Sequence, residues 1–60
     1  MEKVIELENL LKLFREDYEK FAEKGNKTAG TRARKTLQDI RNLAKETRDE
    51  ISNTKKQMVS

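Results

Sequence analysis

The sequence predicts an all-α fold, an antiparallel helical hairpin with heptad packing, and three observations carry that prediction. Apolar residues recur at steps of three and four along two long stretches. No proline interrupts either stretch, and the only glycines, Gly25 and Gly30, lie near the middle of the chain. With 33% hydrophobic and 42% charged residues, composition alone falls between a disordered chain and a solvated helix, so the periodicity decides.

The first stretch places Val4, Leu7, Leu11, Phe14, Tyr18 and Phe21 along one seam, which predicts a helix over about residues 3–24. Leu10 and Leu13 widen its apolar surface, while Glu2, Asn9, Glu16 and Glu23 share a seven-residue row on the opposite, solvated face. At the end of this stretch Lys24 meets the partial negative charge of the helix terminus. Gly25 suits the left-handed stop, and Asn26 suits the cap of the next helix. The turn is therefore expected at about residues 25–26, with the two helices as antiparallel neighbours.

The second stretch repeats the pattern with smaller residues: Gly30, Ala33, Leu37, Ile40, Ala44, Thr47, Ile51, Thr54 and Met58. It predicts a helix over about residues 27–57, the last turn of which frays, inside a single domain spanning 1–60. Large residues of the first helix are expected to fill the space above small ones of the second, with Tyr18 and Phe21 over Gly30 and Ala33. The expected packing set is Leu7, Leu10, Leu11, Leu13, Phe14, Tyr18, Phe21, Leu37, Ile40, Leu43 and Ile51. A hairpin of this size leaves one apolar flank open, expected at Ile5, Leu10, Leu13 and Leu43. A chain of sixty residues without cysteine buries little core, so a second copy is expected to cover that flank. The expected assembly is a homo-oligomer, as a four-helix bundle or coiled-coil dimer.

Charge is unevenly divided. Residues 1–25 carry seven acids and five bases, whereas residues 26–60 carry nine bases and four acids, so the net +3 conceals a basic second half. Lys27, Arg34, Arg41, Arg48 and Lys55 recur every seven residues and form one stripe beside the apolar seam. In the segment GNKTAGTRARK, Arg32 and Lys35 add positive charge off that stripe. Concentrated cations on a rigid helix, with exposed amides at a helix start, suit phosphate backbones. The candidate nucleic-acid contacts are Lys24, Asn26, Lys27, Arg32, Arg34, Lys35, Arg41 and Arg48. They read backbone rather than base sequence, and DNA is the expected partner, with RNA the other polyanion of the same chemistry. No aromatic residue lies within the basic segment itself to form a platform for single strands.

Other function classes lose ground on the same inventory. Without histidine or cysteine there is no common zinc site, thiol or neutral-pH general base. Glu16, Asp17 and Glu19 read as solvated helix residues rather than a magnesium or acid–base site. No enzymatic role, cofactor or small-molecule substrate is expected. No apolar run approaches the roughly 20 residues of a membrane span, and the start MEKVIELENLL is too acidic for a signal peptide. Thr28, Thr31 and Thr36 lie among cations, where phosphorylation would reverse part of the charge.

GNKTAGTRARK, followed by TLQDIRNLAKETRDEI, resembles the bacterial linker-histone-like proteins related to the chlamydial nucleoid-condensing histone. The likeness is concentrated in Gly25, Asn26, Lys27, Ala29, Arg32 and Arg34, with a looser match from Leu37 to Ile51 and over the first stretch. It implies DNA binding, a role in organising the bacterial chromosome and a cytoplasmic, nucleoid-associated location. Longer relatives continue into a Lys- and Ala-rich tail, which implies weaker condensation by a chain that stops at NTKKQMVS. Several weak basic patches on an oligomer would then act through multivalency. The rival expectation is a structural coiled-coil module whose stripe pairs with an acidic protein partner.

Overall fold

The computed structural model describes residues 2–59, and their side chains as far as Lys56. It is an all-helical hairpin of two helices, α1 at Glu2–Lys24 and α2 at Lys27–Val59. At 1.5 Å per residue these are about 34 Å and 50 Å long, so α2 accounts for most of the 54 Å length of the rod. Lys3, near the start of α1, pairs with Glu46 at 3.8 Å and Glu50 at 3.6 Å. The last turns of α2 therefore extend past the start of α1. Helix continues through Val59, beyond the expected end near residue 57; Ser60 and the side chain of Met58 lie outside the described residues.

The turn uses the chemistry of its two residues. Gly25 adopts φ 65°, and its N–H donates to the Phe21 carbonyl at 3.0 Å, while the Asn26 N–H donates to the Lys20 carbonyl at 3.4 Å. Asn26 then turns its side chain onto α2: Oδ1 accepts the Ala29 N–H at 3.1 Å, and its carbonyl accepts the Gly30 N–H at 3.1 Å. No atom lies within 4 Å of a Cβ built on Gly25, so a substitution there pays only for the left-handed backbone. Gly25→Ala is expected to cost about 1–2 kcal/mol, read as a lower urea midpoint with an unchanged m-value.

The two helices meet along a seam rotated from the expected one. In α1 the half-buried residues are Lys3, Leu7, Leu10, Phe14 and Asp17; in α2 Ala29, Ala33, Thr36 and Leu43 are buried, with Ile40 and Thr47 half-buried. Val4, Leu11, Tyr18, Phe21, Leu37, Ala44, Ile51 and Thr54 were expected in this contact but are exposed. Leu10 and Leu43 were expected on the open flank but lie in the contact. Ile5 and Leu13 remain exposed as expected. Small residues explain the rotation, because Ala29, Ala33 and Thr36 let the leucines and Phe14 of α1 settle onto the α2 backbone. Ion pairs fix it further, since Arg32 Nε donates to Asp17 Oδ1 at 3.2 Å and Lys3 reaches Glu46 and Glu50 along the same edge. The polar members of the seam satisfy themselves: Thr36 Oγ1 donates to the Arg32 carbonyl at 3.0 Å and Thr47 Oγ1 to the Leu43 carbonyl at 2.8 Å.

Phe21 lies over Gly30, as the size complementarity predicts. A Cβ added to Gly30 would sit 2.6 Å from Phe21 Cδ1, closer than real carbon contacts, so the glycine makes room for the ring. The fold thereby keeps an apolar strip on one side of the rod, formed by Val4, Leu11 and Tyr18 of α1 with Leu37 and Ile51 of α2.

Candidate nucleic-acid interface

Helical periodicity sorts the charges of α2 into separate rows. The stripe of Lys27, Arg34, Arg41, Arg48 and Lys55 borders the row of Gly30, Leu37, Ala44 and Ile51 on one side and the row of Thr31, Gln38, Lys45 and Ser52 on the other. Neither bordering row contains an acid. Asp39, Glu46, Asp49 and Glu50 fall on the outer face of α2 or its opposite flank. Seven residues of helix rise about 10.5 Å, so the five cations mark out a track about 42 Å long.

All five stripe cations are exposed, and among the described residues none of them joins an ion pair. The cations that do pair are elsewhere: Lys3 with Glu46 and Glu50, Arg15 with Glu19, and Arg32 with Asp17. This separates the predicted contact residues into three groups. Lys27, Arg34, Arg41 and Arg48 belong to the track. Lys24 and Lys35 are exposed near the turn but off the track, Lys24 at the end of α1 and Lys35 on the outer face of α2. Arg32 and Asn26 have structural tasks, the first holding the half-buried Asp17 and the second capping α2. The capped end still presents the Lys27 and Thr28 amides, which have no carbonyl of their own helix to bond.

At the turn end the track borders a groove of about 390 Å³, lined by Phe14, Tyr18, Phe21, Leu37, Lys27 and Arg34 among others, none of them acidic. The rings form a file, with Phe14 and Tyr18 stacked at 5.5 Å and Tyr18 and Phe21 tilted at 6.5 Å. Tyr18 is 52% exposed and Phe21 45%. The seam spacing of Phe14, Tyr18 and Phe21 predicts packing residues, and in sequence they lie outside the basic segment. The antiparallel turn brings them together, and the usable signal was the short Gly25–Asn26 connection between Phe21 and Lys27. Among the described residues no helix is long and apolar enough to cross a membrane, and no group of three or more potential metal ligands forms.

The family model described as Histone H1-like protein Hc1 matches residues 1–57, which takes in α1, the capped turn, the whole basic track and all but the last two residues of α2. The chain belongs to this histone H1-like family. The resemblance first carried by the turn segment thus extends across nearly all of the hairpin. No curated protein and no solved structure matches this histone H1-like chain.

Proposed function

We propose that the hairpin is a nucleoid-associated protein that binds DNA without sequence preference, through phosphate contacts along the α2 track. The observation that carries this reading is the row of five exposed cations without an ion-pair partner among the described residues, with no acid in either neighbouring row of α2. Membership of a histone H1-like family supports it. Arg34, Arg41 and Arg48 serve as forked phosphate donors and Lys27 and Lys55 as point charges, with Lys24 and Lys35 adding to the field near the turn. Such contacts position the protein on the backbone and leave the bases unread.

Copies associate in this reading. Among the described residues the buried ones are Ala29, Ala33, Thr36 and Leu43, a small core for an independent domain. Val4, Leu11 and Ile51, away from the turn, offer the apolar surface for a second copy. Pairing there would join two tracks in one assembly, with Lys55 at the rim of the contact, and raise avidity for a long polyanion.

Fluorescence anisotropy with duplexes of unrelated sequence, across a salt series, tests the proposal. Similar affinities for all sequences are expected, with a log–log salt slope of about −4 if four to five phosphates are neutralised. Absence of binding at low salt would return the hairpin to an adaptor that seeks an acidic protein.

A further inference from the structure

We propose that the groove at the turn end takes an unstacked nucleobase, so that the hairpin binds single-stranded nucleic acid with the base on the aromatic file and the backbone on the basic track. The inference rests on the track being a polyanion site and adds to it a contact that intact duplex does not offer. Two features of the groove support it. Its floor is apolar and aromatic, and roughly half of the Tyr18 and Phe21 surfaces stand open to solvent, unlike rings committed to a core. Its edge carries Lys27 and Arg34, one heptad or about 10.5 Å apart, exposed and without ion-pair partners among the described residues.

The charge pattern selects the occupant. A neutral apolar segment would leave Lys27 and Arg34 unanswered beside it. A strand of nucleic acid supplies a flat π-face for the floor and phosphates for the edge within the same few nucleotides. Gly30 contributes by absence: without a Cβ it lets the Phe21 ring come close to α2 where both line the groove. In B-form DNA the bases are stacked inside the helix, so only a strand, a loop or a frayed end can use this contact.

The test needs no variant at first. Three probes of equal length are compared at one salt concentration: a mixed-sequence 15-nucleotide DNA strand, the same sugar–phosphate strand carrying abasic sites throughout, and the corresponding duplex. Tyr18 is the only tyrosine and the chain has no tryptophan, so its fluorescence reports this groove alone. The ordinary strand is expected to bind about tenfold tighter than the abasic strand and to quench Tyr18, the gain of one stacked base. Tyr18→Leu should bring the ordinary strand down to the affinity of the abasic one, and Tyr18→Phe should restore the difference. Equal affinity for both strands, with steep salt dependence and no quenching, would overturn the base contact and leave the phosphate track standing. Failure of every probe to bind at low salt would remove the track and the groove proposal together. Quenching that follows protein concentration alone would place a second copy in the groove and overturn the proposal.

Discussion

Replacing Arg34, Arg41 and Arg48 together by glutamine is expected to lower affinity for duplex DNA on the order of a hundredfold at moderate salt while the hairpin stays folded. Each cation near a dense row of phosphates contributes roughly 1 kcal/mol, and three such losses amount to about two decades in the dissociation constant. All three side chains are exposed and join no ion pair among the described residues, so their removal leaves the seam untouched. Circular dichroism of the variant should match that of the parent chain. Arg32→Gln makes the contrasting case, because Arg32 is bonded to Asp17 across the hairpin at 3.2 Å and Asp17 is only 15% exposed. That change should cost about 1 kcal/mol of stability and weaken DNA binding less than Arg34→Gln does. A greater binding loss for Arg32 than for Arg34 would move the contact surface from the track to the opposite edge.

Leu43→Ala is expected to have the largest effect on stability. Leu43 is 6% exposed and is the largest of the buried residues among those described, the others being Ala29, Ala33 and Thr36. Truncating a buried leucine costs about 2–5 kcal/mol. At roughly 0.05–0.15 kcal/mol per residue a sixty-residue fold holds only about 3–9 kcal/mol, so the variant should lose about half of its stability and unfold at a much lower temperature. Leu13→Ala, at a 52% exposed position, should change stability by no more than about 0.5 kcal/mol. The helical signal at 222 nm, followed through thermal unfolding, distinguishes the two. Equal effects would mean that Leu13 is covered in solution by a second copy.

Much of the architecture was legible because local chemistry dictates it. Lys24, Gly25 and Asn26 supply a helix end, a left-handed residue and a cap in consecutive positions, and the bonds to Phe21, Lys20 and Ala29 realise all three. Rotation about the helix axes was not legible. Leu7 and Phe14 belong equally to a row with Leu10 and to a row with Leu11, and the second row looked better because Val4, Tyr18 and Phe21 continue it. The row that packs contains Lys3 and Asp17, and facing it are Thr36 and Thr47, all of which make it look poorer in sequence. Their partners were the available clue, for Asp17 lies about as far before the turn as Arg32 lies after it, and Lys3 about as far as Glu46 and Glu50.

The same rotation changes the meaning of the basic stripe. Its regular spacing was visible in the sequence, but its freedom from acids depended on where α1 lay. An acid of a neighbouring helix, such as Asp17 or Glu8, is the ordinary partner of such a stripe. Asp17 instead pairs with Arg32, and Glu8 appears in none of the ion pairs among the described residues. The aromatic file was hidden for a related reason, since only the antiparallel turn brings Tyr18 and Phe21 beside Lys27 and Arg34.

The claim that the α2 track contacts phosphate is tested most directly by the salt slope of duplex binding, compared between the parent chain and the Arg34, Arg41 and Arg48 triple glutamine variant. Each phosphate contact contributes about 0.9 to the log–log slope, so loss of three should flatten it by about 2.7, from about −4 toward −1 to −2. A slope that stays unchanged in the variant would show that the released counterions come from other residues and would contradict the track as the DNA-binding surface.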